Sequence, residues 1–146
     1  MSFERILVAT DFSDGSERAL ELALGLAEKF DSELTLVHSW EPPSYSYAAG
    51  LYLPGDAIAP IERAAIARLE EATAQLKLRF PAAKSLLRAG VPWEEVLAAA
   101  VQVKANLIVM GTHGRRGLER ALLGSVAERV VRMSPVPVLT VHGAPG

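Results

Sequence analysis

Short runs of consecutive apolar residues alternate along this chain with longer stretches in which apolar residues recur every three or four positions. A continuous apolar run is typical of a strand buried on both faces, and the longer spacing is typical of one face of a helix. The predicted strands are Ile6–Ala9, Leu34–Val37, the weaker Ser85–Leu87, Leu107–Met110 and Val136–Val141. Strands that alternate with helices in this way predict an α/β fold with one doubly wound parallel sheet and helices on both of its faces.

Four amphipathic helices are predicted between these strands. Ser13 or Asp14 is the expected N-cap of the first helix, and Pro92 is expected to open the third. The apolar positions are Leu20, Ala23, Leu24, Ala27 and Phe30 in the first helix, Ile58, Ile61, Ala65, Leu69, Ala72, Leu76 and Phe80 in the second, Val96, Leu97, Ala100 and Val103 in the third, and Val126, Val130 and Met133 in the last. Residues 40–56, rich in proline and tyrosine, are predicted to form a long loop.

Composition narrows the class of protein. The chain has 146 residues, of which 50% are hydrophobic and 22% charged, and this predicts one globular domain spanning 1–146. It has no cysteine, which excludes disulfides and thiolate metal sites. A net charge of −2 provides no overall basic field for nucleic acid or an anionic membrane. No apolar run approaches the ~18 residues of a membrane span. The first residues lack a signal-peptide layout, so a cytoplasmic location is expected.

Glycines cluster after the fourth predicted strand, at Gly111, Gly114 and Gly117, and Gly124-Ser125 precedes the last helix. Glycine lets a backbone approach a ligand closely, and successive N–H groups in such turns form an anion-binding concavity. A helix N-terminus favours phosphate as well. For an isolated glycine-rich loop, the simpler interpretation is that the glycines only make turns. In a doubly wound sheet, however, ligands bind beyond the carboxyl ends of the strands, at the point where the winding direction reverses.

The spacing Gly111-x2-Gly114-x9-Gly124-Ser125 resembles the signature of the universal stress protein family. The resemblance extends over nearly the whole chain. It includes the opening strand and turn Ile6–Ser13, the second strand at Leu36–His38, the turn Gly90–Pro92 and the closing segment Ser134–Leu139. In that family the intact glycine signature marks the ATP-binding branch. The resemblance also implies a five-stranded Rossmann-like sheet of order 3-2-1-4-5.

The resemblance implies that an ATP molecule binds between the first and fourth strands, with Mg²⁺ held through its phosphates. Ala9, Thr10 and Asp11 would line the nucleoside, and His38 or Ser39 would offer backbone groups to adenine. Gly111, Gly114, Gly124, Ser125 and Val126 would hold the ribose and phosphates, with Met110 and Arg115 completing the predicted site.

Several side chains have more than one interpretation. Asp11 could support its turn, accept ribose hydroxyls, or hold a water of the phosphate-bound Mg²⁺. Arg115 and its neighbours Arg116 and Arg120 could neutralise phosphates or be solvated, and for His113 solvent exposure is favoured over donation to a phosphate. The aromatic loop could cover adenine, contact a partner, or pack on its own domain. The three histidines have no metal-ligand spacing.

The leading functional hypothesis is a nucleotide-dependent regulator or sensor in the stress response that is not an enzyme, or is at most a very slow ATPase. An ATP-utilising enzyme such as an adenylating ligase is the alternative, but those enzymes carry a Ser-Gly-Gly-rich loop where this chain has Thr10–Gly15. A flavodoxin-like carrier or receiver would place its site after the first strand, whereas these glycines follow the fourth. An interaction module that binds no nucleotide remains open.

A homodimer is predicted through the last strand. Its apolar residues Val136, Val138, Leu139 and Val141 would lie at a sheet edge in the family's strand order. An uncovered apolar edge favours association, and two-fold pairing would cover it. The family commonly pairs through this strand.

Overall fold

A computed structural model describes residues 2–43, 55–113 and 123–143. Within these ranges five strands alternate with four helices. The elements are β1 (Arg5–Ala9), α1 (Asp14–Phe30), β2 (Glu33–Trp40), α2 (Gly55–Arg79), β3 (Lys84–Ala89), α3 (Pro92–Gln102), β4 (Leu107–Gly111), α4 (Ser125–Met133) and β5 (Val138–Val141).

The strands form one parallel sheet in the order β3-β2-β1-β4-β5, which confirms the predicted fold. β1 lies at the centre, with Ile6 opposite Leu34 of β2 on one side and Leu107 of β4 on the other. The chain winds in one direction from β1 to β3 and in the other from β4 to β5. The winding direction therefore reverses between β1 and β4.

Alternate residues of the strands face two separate apolar layers. Ile6 and Val8 pack with the buried residues of α1 and α2, such as Leu24 and Leu69. Leu7 and its neighbours face the other side, where α3 and α4 cover the sheet. Both faces are covered, so the central strands are continuous apolar runs.

Ser13 is the N-cap of α1 and was one of the two predicted candidates. Its hydroxyl accepts the Ser16 N–H at 3.3 Å. The helix ends at Asp31, which adopts a left-handed conformation (φ 53°) and donates its N–H to the Ala27 carbonyl. Phe30, predicted on the buried face, is 48% exposed because it lies in the last turn, where its ring packs edge-on against Phe3. Met133 ends α4 and is likewise exposed.

Several predicted boundaries differ from the structure: β2 and β3 are longer at both ends, and α2 begins at Gly55, inside the predicted loop 40–56. Two of the differences have a visible cause. Trp40 belongs to β2 rather than to the following loop, because its carbonyl accepts the Gly90 N–H beside β3 and its side chain is buried. β5 begins at Val138 rather than Val136, because a bend precedes it in which the Ser134 hydroxyl donates to the Val136 carbonyl at 2.7 Å and accepts the Val136 N–H.

Several predicted features lie outside the described residues. These are the aromatic loop beyond Pro43 and the part of the glycine-rich loop that holds Gly114, Arg115, Arg116, Gly117 and Arg120. Across the described ranges, none of the helices is long and apolar enough to cross a membrane. The same ranges contain no group of three or more histidine, aspartate or glutamate side chains that could hold a metal ion.

Candidate functional site

A cavity of about 420 Å³ opens at the carboxyl ends of β1, β2 and β4, where the winding direction reverses. It extends between the sheet and the helices α3 and α4. Nine of the twelve predicted site residues line it, namely Ala9, Thr10, Asp11, Ser39, Met110, Gly111, Gly124, Ser125 and Val126. Gly114 and Arg115 lie outside the described residues, and His38 is not part of the lining. As ligand contacts, all twelve stay predictions.

The turn between β1 and α1 forms one wall of the cavity. The Thr10 N–H donates to the Val37 carbonyl at 2.9 Å, which extends the sheet beyond β1. The Thr10 hydroxyl then accepts the Phe12 N–H at 3.0 Å, and Asp11 Oδ1 accepts the Ser13 N–H at 3.0 Å. Asp11 therefore supports its turn, as one interpretation held, while it also lines the cavity.

Gly111 has a packing role that the sequence did not reveal. A Cβ placed on Gly111 would lie 3.0 Å from the carbonyl carbon of Gly15 and 3.3 Å from the Ser16 nitrogen. A Cβ on Gly15 would in turn lie 3.1 Å from the His113 carbonyl oxygen. The two glycines thus let the N-terminus of α1 pack directly against the end of β4. Gly15 carried no motif, so nothing local in the sequence indicated it.

Gly124 precedes α4 and lies against Thr112, the residue that follows β4. Its N–H donates to the Thr112 carbonyl at 2.7 Å, and a Cβ there would lie 3.0 Å from the same oxygen. Its φ of −65° is ordinary, so close approach rather than a special backbone conformation requires glycine. Gly124 is also the N-cap of α4 and provides no side-chain acceptor for the first turn of this helix.

The N-terminus of α4 consequently faces the cavity. Gly124, Ser125, Val126 and Ala127 are consecutive lining residues, and Ser125 is exposed. First-turn N–H groups have no partner within the helix, and the helix dipole gives this end a partial positive charge. This end of the cavity is therefore suited to an anion.

His113 lies in the lining as well. Its Nδ1 is 3.2 Å from the Thr112 hydroxyl, and its Nε2 is buried without a hydrogen-bond partner among the described residues. The favoured expectation of a solvated side chain is wrong, because the ring is half-buried at the mouth of the loop. A buried nitrogen without a partner is costly. A ligand oxygen in the cavity would offset that cost.

The rest of the cavity is divided between apolar and polar groups. Part of the apolar surface comes from Val37, Pro92, Val96 and Met110. Of these four residues, only Met110 was among the predicted site residues. Within the described lining Asp11 is the only carboxylate, and there is no lysine or arginine. In this part of the chain, backbone N–H groups, hydroxyls and His113 are the groups available to an anion.

His38 and Ser39 lie on opposite sides of β2. Ser39 faces the cavity, as do Val37 and Ala9 in the neighbouring positions. The His38 ring lies on the α1 side, where it contacts Phe12 with a centroid distance of 4.4 Å, and its Nδ1 is 2.8 Å from the Thr10 carbonyl oxygen.

Comparison with known proteins gives a consistent result. A model of the universal stress protein family matches residues 2–142. A universal stress protein of Thermus aquaticus is 37% identical over 140 residues, which cover 96% of this chain and 99% of the relative. A solved universal stress protein in complex with cAMP has a TM-score of 0.74 and 27% identity, over 99% of this chain and 100% of that one. Another, from Archaeoglobus fulgidus in complex with dAMP, has a TM-score of 0.61 and 26% identity, over 97% and 99% of the two chains.

Proposed function

This chain belongs to the universal stress protein family, and on that premise we propose that its cavity binds an adenine nucleotide, with ATP as the resident ligand. The observation that carries the proposal is the uncapped N-terminus of α4, which faces the same cavity as the apolar slot between β2 and α3. The anion-binding end of the cavity suits the phosphates of a nucleotide, and its apolar slot suits the base.

The cavity suits such a ligand in size and chemistry. Ligand pockets are usually about 300–1,000 Å³ and mostly apolar, with a few oriented polar groups. Val37 and Val96 would contact the base, and Asp11 would accept hydroxyl groups of the ribose. The N–H groups of Ser125 and Val126 would hold phosphate oxygens, and His113 Nε2 would contribute once an oxygen lies beside it.

The two nucleotide complexes among the similar structures support the ligand class. One binds cAMP and the other dAMP, so both ligands contain adenine and one phosphate. The choice of ATP comes from the intact Gly111-x2-Gly114-x9-Gly124-Ser125 signature. Mg²⁺ would accompany the triphosphate and be held through its phosphates, with Arg115 near them.

We infer that the protein acts as a cytoplasmic, nucleotide-dependent regulator in the stress response and hydrolyses ATP very slowly or not at all. Fast phosphoryl transfer needs a group that orients or deprotonates the attacking nucleophile, and cations that stabilise the transferring group. Within the described lining, the only carboxylate already accepts the Ser13 N–H. Equal binding of substrate and transition state gives affinity without rate.

We further propose a homodimer formed through β5. This strand lies at the edge of the sheet, Leu139 is 37% exposed, and Val138 and Val141 are half-buried. Val136 precedes the strand and packs partly on the α3/α4 layer. Pairing of two β5 edges would cover this apolar row.

Mass spectrometry of ligand that remains bound through purification, followed by calorimetric titration with MgATP, tests the proposed function. Adenine nucleotide in the purified protein, or a micromolar Kd in the titration, is expected. Absence of retained nucleotide together with no heat of binding for ATP, ADP, AMP or cAMP would favour the interaction module instead.

A further inference from the structure

Phe12 adopts a backbone conformation that large side chains rarely occupy. Its φ is 65°, in the left-handed region. For residues other than glycine this region costs roughly 1–2 kcal/mol, and such conformations persist only where neighbouring contacts hold them. Phe12 lies between Asp11 and Ser13, whose N–H donates to Asp11 Oδ1 at 3.0 Å, so its backbone conformation contributes to the position of the Asp11 carboxylate.

The Phe12 ring packs on the apolar layer of α1 and α2, and two polar side chains contact it as well. The His38 ring of β2 lies 4.4 Å from it, at an angle of 50°. The Arg68 guanidinium of α2 lies 4.4 Å from the ring centroid, a cation–π contact. Arg68 is exposed, whereas His38 and Phe12 are half-buried. The ring contact with His38 is therefore the better shielded of the two.

His38 also holds the backbone of the same turn. Its Nδ1 is 2.8 Å from the Thr10 carbonyl oxygen, and because a carbonyl only accepts, Nδ1 carries the proton. One side chain thus binds the residue before Asp11 through a hydrogen bond and the residue after it through a ring contact. We propose that His38 is a positioning residue, which holds the Thr10–Phe12 turn so that Asp11 faces the nucleotide cavity.

The proposal rests on the proposed function for its effect on affinity, but its effect on the turn can be measured without nucleotide. In the free protein, the ¹⁵N shifts of His38 should show a protonated Nδ1. The carbon shifts of Phe12 should show a left-handed backbone. In His38→Ala the Phe12 shifts should move away from left-handed values. A residue that only fills space in the core would not need a protonated Nδ1, and its replacement would leave Phe12 in the left-handed region.

Affinity is then measured on three variants that separate the two contacts. His38→Asn places an amide donor near the position of Nδ1 but has no ring, and His38→Phe keeps a ring but has no donor. Loss of a hydrogen bond and a ring contact together predicts about a tenfold weaker Kd for MgATP in His38→Ala. His38→Asn and His38→Phe each keep one of the two contacts, so the Kd of each for MgATP should be about threefold lower than that of His38→Ala.

The matched control is Phe30→Ala. It removes the Phe3–Phe30 edge-on pair at the opposite end of β1, where the centroids are 5.6 Å apart. It should lower the melting temperature and leave the Kd unchanged. Left-handed Phe12 shifts in His38→Ala would overturn the proposal. An altered turn with unchanged affinity would also overturn it. A wild-type protein that binds no nucleotide would refute the proposed function, while the shifts would still decide whether His38 holds the turn.

Discussion

Gly124→Val should weaken nucleotide binding while the sheet remains folded. The φ of −65° at this position suits valine, so the backbone itself is not strained. The Cβ, however, would lie 3.0 Å from the Thr112 oxygen and 3.4 Å from the His113 Cα. Both neighbours are backbone atoms and cannot turn away, so the start of α4 must move.

The size of the loss in affinity follows from the hydrogen bonds that this movement breaks. The 2.7 Å hydrogen bond from the Gly124 N–H to Thr112 would lengthen, and the N–H groups of Ser125 and Val126 would move away from the bound phosphates. Losing one or two bonds to a charged group costs about 2–3 kcal/mol, which corresponds to roughly a thirtyfold to 150-fold weaker Kd.

Calorimetric titration with MgATP measures this loss, and Gly25→Ala is the matched control. Gly25 lies within α1, is exposed, and a Cβ there would meet no atom within 4 Å. Alanine should stabilise the helix by about 0.5–1 kcal/mol without affecting the Kd. An unchanged affinity in a folded Gly124→Val variant would refute the assignment of the α4 N-terminus as the phosphate site.

Three further predictions concern Ser125, the β5 interface and the rate of ATP hydrolysis. Ser125→Ala should weaken MgATP binding by about 1–2 kcal/mol in calorimetry, because one hydroxyl bond to a charged group is lost; an unchanged Kd would remove Ser125 from the site. Light scattering should give the mass of a dimer, and Leu139→Lys at the exposed edge should give a monomer; a wild-type monomer at all concentrations would contradict the β5 interface. Purified protein with MgATP should turn over far below the ~1–100 s⁻¹ of kinases. A rate within that range that is lost in Asp11→Asn would identify an enzyme.

The strands and their alternation with helices could be predicted from the sequence because that information is local, whereas the strand order 3-2-1-4-5 came from the resemblance to the family. Runs such as Ile6–Ala9 and Leu107–Met110 are buried on both faces, and a strand of that kind is a continuous apolar segment. The ends of elements depend on distant partners instead. Trp40 extends β2 because β3 lies beside it, opposite Ala89, and a pattern read along the chain has no information on that pairing.

The lining of the cavity was predicted where a motif marked it and was missed where packing formed it. Gly124 and Ser125 belong to a spaced signature. The fit of Gly15 against Gly111 joins residues almost a hundred positions apart. The buried Nε2 of His113 depends in the same way on how the chain leaves β4, which no local pattern encodes. The position of the His38 ring follows from strand alternation, since Ser39 faces the cavity and the preceding residue faces the other side.

The proposed adenine nucleotide would occupy the cavity between β1 and β4. An NMR titration of ¹⁵N-labelled protein with MgATP tests this proposal most directly, because it reports both binding and position. We expect the largest amide shift changes at Thr10–Asp11, Thr112–His113 and Ser125–Val126. Changes concentrated elsewhere, for example around the groove between α1 and α2 that Glu17 and Gln75 line, or no changes at millimolar nucleotide, would contradict the proposal.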